Sequence, residues 1–137
     1  MTDDLIKRLQ AGPGSRELSD EVLREFGWQT SRRDGCTFWR GPDSNDPVWG
    51  VWNITNMQPD PSRNAQDALD VVVPDGWRVA QIWTSAHKKD GLIWFVALAR
   101  GYHSDDNYAC VQSDGCPDFP AALCIAGLLA KEKVDER

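Results

Sequence analysis

The sequence predicts an α+β fold: a single-domain α–β–α sandwich, its antiparallel sheet covered by helices on both faces. Three observations carry this. Strand runs that are adjacent in sequence are joined by short turns, which pairs them antiparallel. Helical periodicity stands before, between and after those runs. One run, Leu92–Ala99, is apolar throughout, the mark of a central strand covered on both sides. At 137 residues and 41% hydrophobic, with no internal repeat and no long linker, residues 1–137 are expected to form one domain with its own core.

Asp3–Gln10 carries Leu5, Ile6 and Leu9 as an apolar stripe. Asp3 and Asp4 at its start, and Lys7 and Arg8 further on, suit the helix dipole. Gly12-Pro13-Gly14 ends it. A second helix is expected from Ser15 to Phe26, where Leu18, Val22 and Phe26 repeat every four residues, with Ser15 as the cap and Gly27 as the stop. The two helices are expected to pack as a hairpin or to lie across one sheet. From Trp28 to Asp60 the chain turns to strands and turns. Cys36–Arg40 and Val48–Ile54 are the strand runs, set between the turn-rich Asp34-Gly35 and Gly41–Pro47.

Asn64–Trp77 reads as helix, stop, turn and strand. Ala65, Ala68, Leu69 and Val72 share one helical face, and Gln66, Asp67 and Asp70 are expected to face water. Asn64 caps the helix, Pro74 stops it at Val73, and Asp75-Gly76 turns the chain into Trp77. Arg78–Ala86 follows as a strand, with Ala80 and Ile82 expected on one face and Val79 and Trp83 on the other. His87–Gly91 is a hairpin connection into Leu92–Ala99. A last strand is expected over Asn107–Gln112. A closing helix, Pro120–Lys131, contains the unbroken apolar run Ala121–Ala130, so it is expected to be buried on most sides.

The balance of charge limits function. With 21 acidic and 15 basic residues the formal net charge is −6. That argues against direct nucleic-acid binding, which needs clustered Lys and Arg. No apolar run approaches the roughly 20 residues of a membrane helix. The first residues lack the basic-then-apolar pattern of a signal peptide, so a cytoplasmic protein with reduced thiols at Cys36, Cys110, Cys116 and Cys124 is expected.

Catalytic and metal signatures are thin. His87 and His103 are the only histidines, and only His103, near Asp105 and Asp106, has carboxylates beside it to orient an imidazole. Cys110 and Cys116 lie too far apart in sequence for the paired ligands of a structural zinc site, and no second pair accompanies them. No cofactor is implied. Seven tryptophans are many for this length. Large aromatics in a core explain them, and a stacking surface for a base or partner is the alternative.

Three stretches, Leu5–Trp28, Asn64–Trp77 and Phe119–Lys131, together resemble the phage ABA-sandwich domain family, small uncharacterised proteins of bacteriophages and prophages. The resemblance rests on the L-I-x-x-L-x-A helix, a G-x-S-R-E-L-type helix start (G-P-G-S-R-E-L at Gly12–Leu18) and the G-W after it. The N-x-x-x-A-L-x-x-V-V-P-x-G-W unit and the A-L-C-I-A closing helix complete it. Ser62-Arg63 and Asp118-Phe119 depart from that pattern. The resemblance implies the α–β–α sandwich and transfers no catalytic residue.

The leading expectation is a non-enzymatic phage or prophage accessory protein that binds a host protein in the host cytoplasm, the acidic balance suiting a partner with a basic surface. A homo-oligomer is a candidate assembly. The rival is a sponge for a nucleotide signal, with Trp49, Trp52, Trp83 and Trp94 as stacking planes and Arg78 or Arg100 on a phosphate. An enzyme using His103 is the third class.

Overall fold

The computed structural model describes residues 2–33, 36–40, 59–89, 91–102, 104 and 106–135. The expected strand Val48–Ile54, with Trp49 and Trp52, lies outside the described residues, as does His103. The elements in chain order are α1 (Thr2–Ala11), α2 (Arg16–Glu25), β1 (Gln29–Arg33), β2 (Cys36–Arg40), α3 (Ala65–Val72), β3 (Trp77–His87), β4 (Gly91–Arg100), β5 (Ala109–Gln112) and α4 (Phe119–Asp135).

The fold is α+β, an antiparallel sheet layered with helices. Strands β3, β4 and β5 form a three-stranded sheet in that order, with β4 in the centre. Strands β1 and β2 pair as a two-stranded antiparallel ribbon. Helix α4 packs on β4 and β5, α1 and α3 pack on α4, and α2 packs on α1. The core is where these layers meet. Val96 and Leu98 of β4 and Val111 of β5 join Leu9, Val22, Val72 and nearly all of α4 between Ala121 and Ala130. Within that run Ala121–Leu128 is buried without a break, as an all-apolar helix requires.

Local chemistry sets the helix ends. The Ser15 hydroxyl accepts from the Leu18 amide at 3.1 Å, and the Asn64 side chain accepts from the Asp67 amide at 3.0 Å, each relieving an amide with no helical partner. Val73, held out of the helical region by Pro74, sits at φ −83°, ψ 110°. Gly76 takes φ +85°, and the Trp77 amide closes the turn on the Pro74 carbonyl at 3.0 Å.

Three sequence expectations change. Strand β1 is all polar (QTSRR) and carries no alternation; it is a strand because β2 pairs with it from Gln29↔Arg40 to Arg33↔Cys36. Asp67 does not simply face water: it is half-buried, and its carboxylate accepts from the Asp60 amide at 2.9 Å. In β3 the register shifts between Val79 and Gln81, which pair with the consecutive residues Leu98 and Ala97. Ala80 is the extra residue of a bulge, so the alternation of faces restarts after it. Val79 therefore shares a face with Ile82, and Trp83 lies on the opposite one.

A buried polar clamp joins α2 to the segment before α3. Ser19 and Ser62 are both fully buried, their hydroxyl oxygens 2.7 Å apart. Ser19 donates to the Asp60 carboxylate and accepts from the Ser62 amide, while the Ser62 hydroxyl donates to the Ser15 carbonyl and accepts from the Ser15 amide. Arg63 adds an ion pair to Asp60 at 2.7 Å. Gly14 allows this closeness: a Cβ there would lie 2.0 Å from the Ser62 carbonyl oxygen.

Candidate functional site

Register sorts the side chains of β3 and β4 onto two faces, because opposed residues share a face and neighbours alternate. The face toward α4 takes Trp77, Val79 and Ile82 from β3, and Trp94, Val96, Leu98 and Arg100 from β4. The other takes Arg78, Gln81 and Trp83, opposite Ala99, Ala97 and Phe95.

The sequence-derived ligand set divides along these faces. Trp83 stacks on Phe95, centroids 5.4 Å apart and planes 5° from parallel. Arg78, on the same face, donates to the Gly101 carbonyl at 2.8 Å and lies 5.2 Å from the Tyr102 ring centroid. Trp94 is on the α4 side, tilted against Phe119 at 4.8 Å. Arg100 is on that side too, 5.4 Å from the Trp77 centroid. Trp83 and Trp94 therefore point away from each other and cannot sandwich one base. Trp49 and Trp52 fall outside the described residues.

Two places on the sheet carry chemistry. The first is the far end of the β3–β4 hairpin, where Ile82 is 44% and Leu92 47% exposed. Both lie on the face that holds half-buried Trp94, Ile82 being opposite Val96 and Leu92 opposite Ala86. An apolar patch thus runs from the level of buried Val96 toward the hairpin turn.

The second is the near end, around Trp77 and Arg100, which are opposed in the register. Trp77 is 7% exposed, and its indole N–H has no acceptor among the described residues. The Arg100 guanidinium lies over the same ring and uses its Nε to hold the Asn107 carbonyl at 2.9 Å. Sequence reasoning named Arg100 as a strand-flanking cation but missed Trp77. Its position after Asp75-Gly76 says strand start, and nothing in the chain says that its N–H lacks a partner.

Elsewhere the surface offers a groove of about 510 Å³ between α1 and α2, lined by Asp4, Leu5, Glu21, Arg24 and Glu25. Arg8 crosses between these helices to Glu21. Cys116 and Cys124 are buried free thiols and Cys110 an exposed one. Burial pushes both buried thiols above their ordinary pKa; at Cys116 a backbone hydrogen bond from Asp118 opposes the shift. Among the described residues no group of three His, Cys, Asp or Glu is placed to hold a metal, and no helix is long and apolar enough to cross a membrane.

No protein-family model, curated protein or solved structure matches this chain.

Proposed function

We propose that the chain is a non-enzymatic binding protein that meets a protein partner with the far end of its β3–β4 hairpin. The observation that carries this reading is the exposure of Ile82 and Leu92 around Trp94 on one sheet face. Large apolar side chains gathered at a surface mark interaction sites, because covering them removes apolar area from water. The resemblance to phage ABA-sandwich proteins supports a host protein as the partner and the host cytoplasm as the setting. The net charge of −6 favours a partner with a basic surface, which the acidic chain attracts at long range before the apolar patch docks.

The test is capture from host lysate with wild type, Ile82→Asp and Leu92→Asp, at low and at high salt. Wild type should retain a specific protein at low salt, and either aspartate should release it. Equal capture by the aspartate variants would move the contact off this patch. A set of captured proteins that ignores salt would remove the basic-partner element.

A further inference from the structure

We propose that Trp77 and Arg100 form the two donors of an oxyanion site at the near end of the β3–β4 hairpin, taking a phosphate or carboxylate group of a small ligand. This goes beyond protein binding through the far end of the hairpin and uses neither Ile82 nor Leu92.

Four observations converge. Trp77 is more than nine-tenths buried, and its one polar side-chain atom, the indole nitrogen, has no hydrogen-bond acceptor among the described residues. Buried donors are nearly always satisfied, so such a group marks a position that something else fills. Arg100 lies over that same ring, and the register places the two residues directly opposite each other on one face. Its Nε is held by the Asn107 carbonyl, and among the described residues no carboxylate pairs with the guanidinium. A half-buried cation beside a buried neutral N–H is a donor set for which the described residues supply no anionic acceptor.

The chemistry of the set selects the ligand. Indole and guanidinium are donors only, so the group they take must be an acceptor. A guanidinium favours oxyanions, whose paired oxygens match its fork of N–H groups. The backbone bond from Nε to Asn107 fixes the direction in which the remaining nitrogens can reach. One oxygen of the anion takes the indole N–H, and the charge faces Arg100. Arg78 belongs to a different arrangement, since it lies on the opposite face and is occupied with Gly101 and the Tyr102 ring.

The experiment follows the indole N–H resonances of the ¹⁵N-labelled full chain as inorganic phosphate or acetate is added, with chloride holding ionic strength constant. Trp77→Phe identifies the relevant resonance by its disappearance. The proposal expects that resonance to move saturably, and further than the other indoles, with at least one of the two anions. Response to phosphate alone names a phosphoryl ligand, and response to acetate as well names a carboxylate. Arg100→Gln should weaken the response by about tenfold or more, while Arg100→Lys, which keeps the charge, should retain part of it. A Trp77 resonance that neither anion moves would overturn the site, as would an undiminished response in a folded Arg100→Gln. A persistent cross-peak to water without any anion response would also overturn it, assigning the indole to a resident water. The wild-type titration decides the question even if a variant fails to fold.

Discussion

Gly127 of α4 and Val72 of α3 meet so closely that a methyl group at position 127 would lie 2.5 Å from the Val72 Cβ and 2.6 Å from its carbonyl oxygen. Two helices touch here nearly backbone to backbone, and this contact seats α3 on the core. Alanine normally favours a helix interior over glycine by about 1 kcal/mol. Here the overlap must win, because part of it is with backbone that cannot turn aside. Gly127→Ala is expected to destabilise the protein by about 1–3 kcal/mol, as overpacking does. A lower urea midpoint at unchanged slope would show it, and Val72→Ala in the same chain should recover only part, since the Cβ and carbonyl remain.

The serine clamp gives a second expectation. Removing the Ser62 hydroxyl leaves the Ser15 amide without its acceptor and the Ser15 carbonyl with the Ser19 amide alone, beside a buried Ser19. Ser62→Ala should cost about 1–3 kcal/mol, the range for stranding buried polar groups. Gly14→Ala should cost more, because its Cβ meets the Ser62 carbonyl oxygen itself. Denaturant midpoints of the two variants, compared with wild type, order these effects.

At the start of α3 the test is simpler. Asn64→Ala should lower stability by about 1 kcal/mol and Asn64→Asp should leave it nearly unchanged, since aspartate caps as well as asparagine. Thermal unfolding followed by circular dichroism reads both.

The buried thiols predict a pH dependence. Both Cys116 and Cys124 have pKa values raised by burial, so the folded protein keeps them neutral where the unfolded chain would ionise them. Their contribution is fully present below the ordinary thiol pKa of about 8.5 and is lost as the pH rises above it. Stability should fall from about pH 8.5 upward, each such thiol adding at most about 1.4 kcal/mol per pH unit. Cys124→Ala should start lower and fall less steeply. In the native state exposed Cys110 should be alkylated first, with Cys116 and Cys124 protected until unfolding, as peptide mapping would show.

What was legible in the sequence is what acts over a few residues. Ser15, Asn64, Pro74 and Gly76 each work on near neighbours, and the ends of α2 and α3 fall within a residue of where they were expected. Pairing was less legible. Gln29–Arg33 becomes a strand only because Cys36–Arg40 lies beside it. Val79-Ala80-Gln81 contains no residue that announces a bulge; the extra residue is defined by what β4 sets against it. The candidate site shares that difficulty. Arg100 can be named from its place at a strand end, yet its stacking on a residue 23 positions earlier depends on the register of a hairpin. Nothing nearby in the sequence pairs Ser19 with Asp60 and Ser62; two distant segments, α2 and the stretch before α3, bring them together.

The bulge at Ala80 bears on how such a chain can change over time. Beyond it, β3 shows Ile82 to one side and Trp83 to the other because the ladder takes up the extra residue and resumes its register with β4. A strand shortened by a single codon there would lose the bulge and keep Ile82 opposite Val96 and Trp83 opposite Phe95, so the two sides of the hairpin would present the same side chains as before. An insertion or deletion at this point is therefore a change that a lineage can absorb as the gain or loss of a bulge, while the faces of the hairpin and the layers beneath α4 stay as they are.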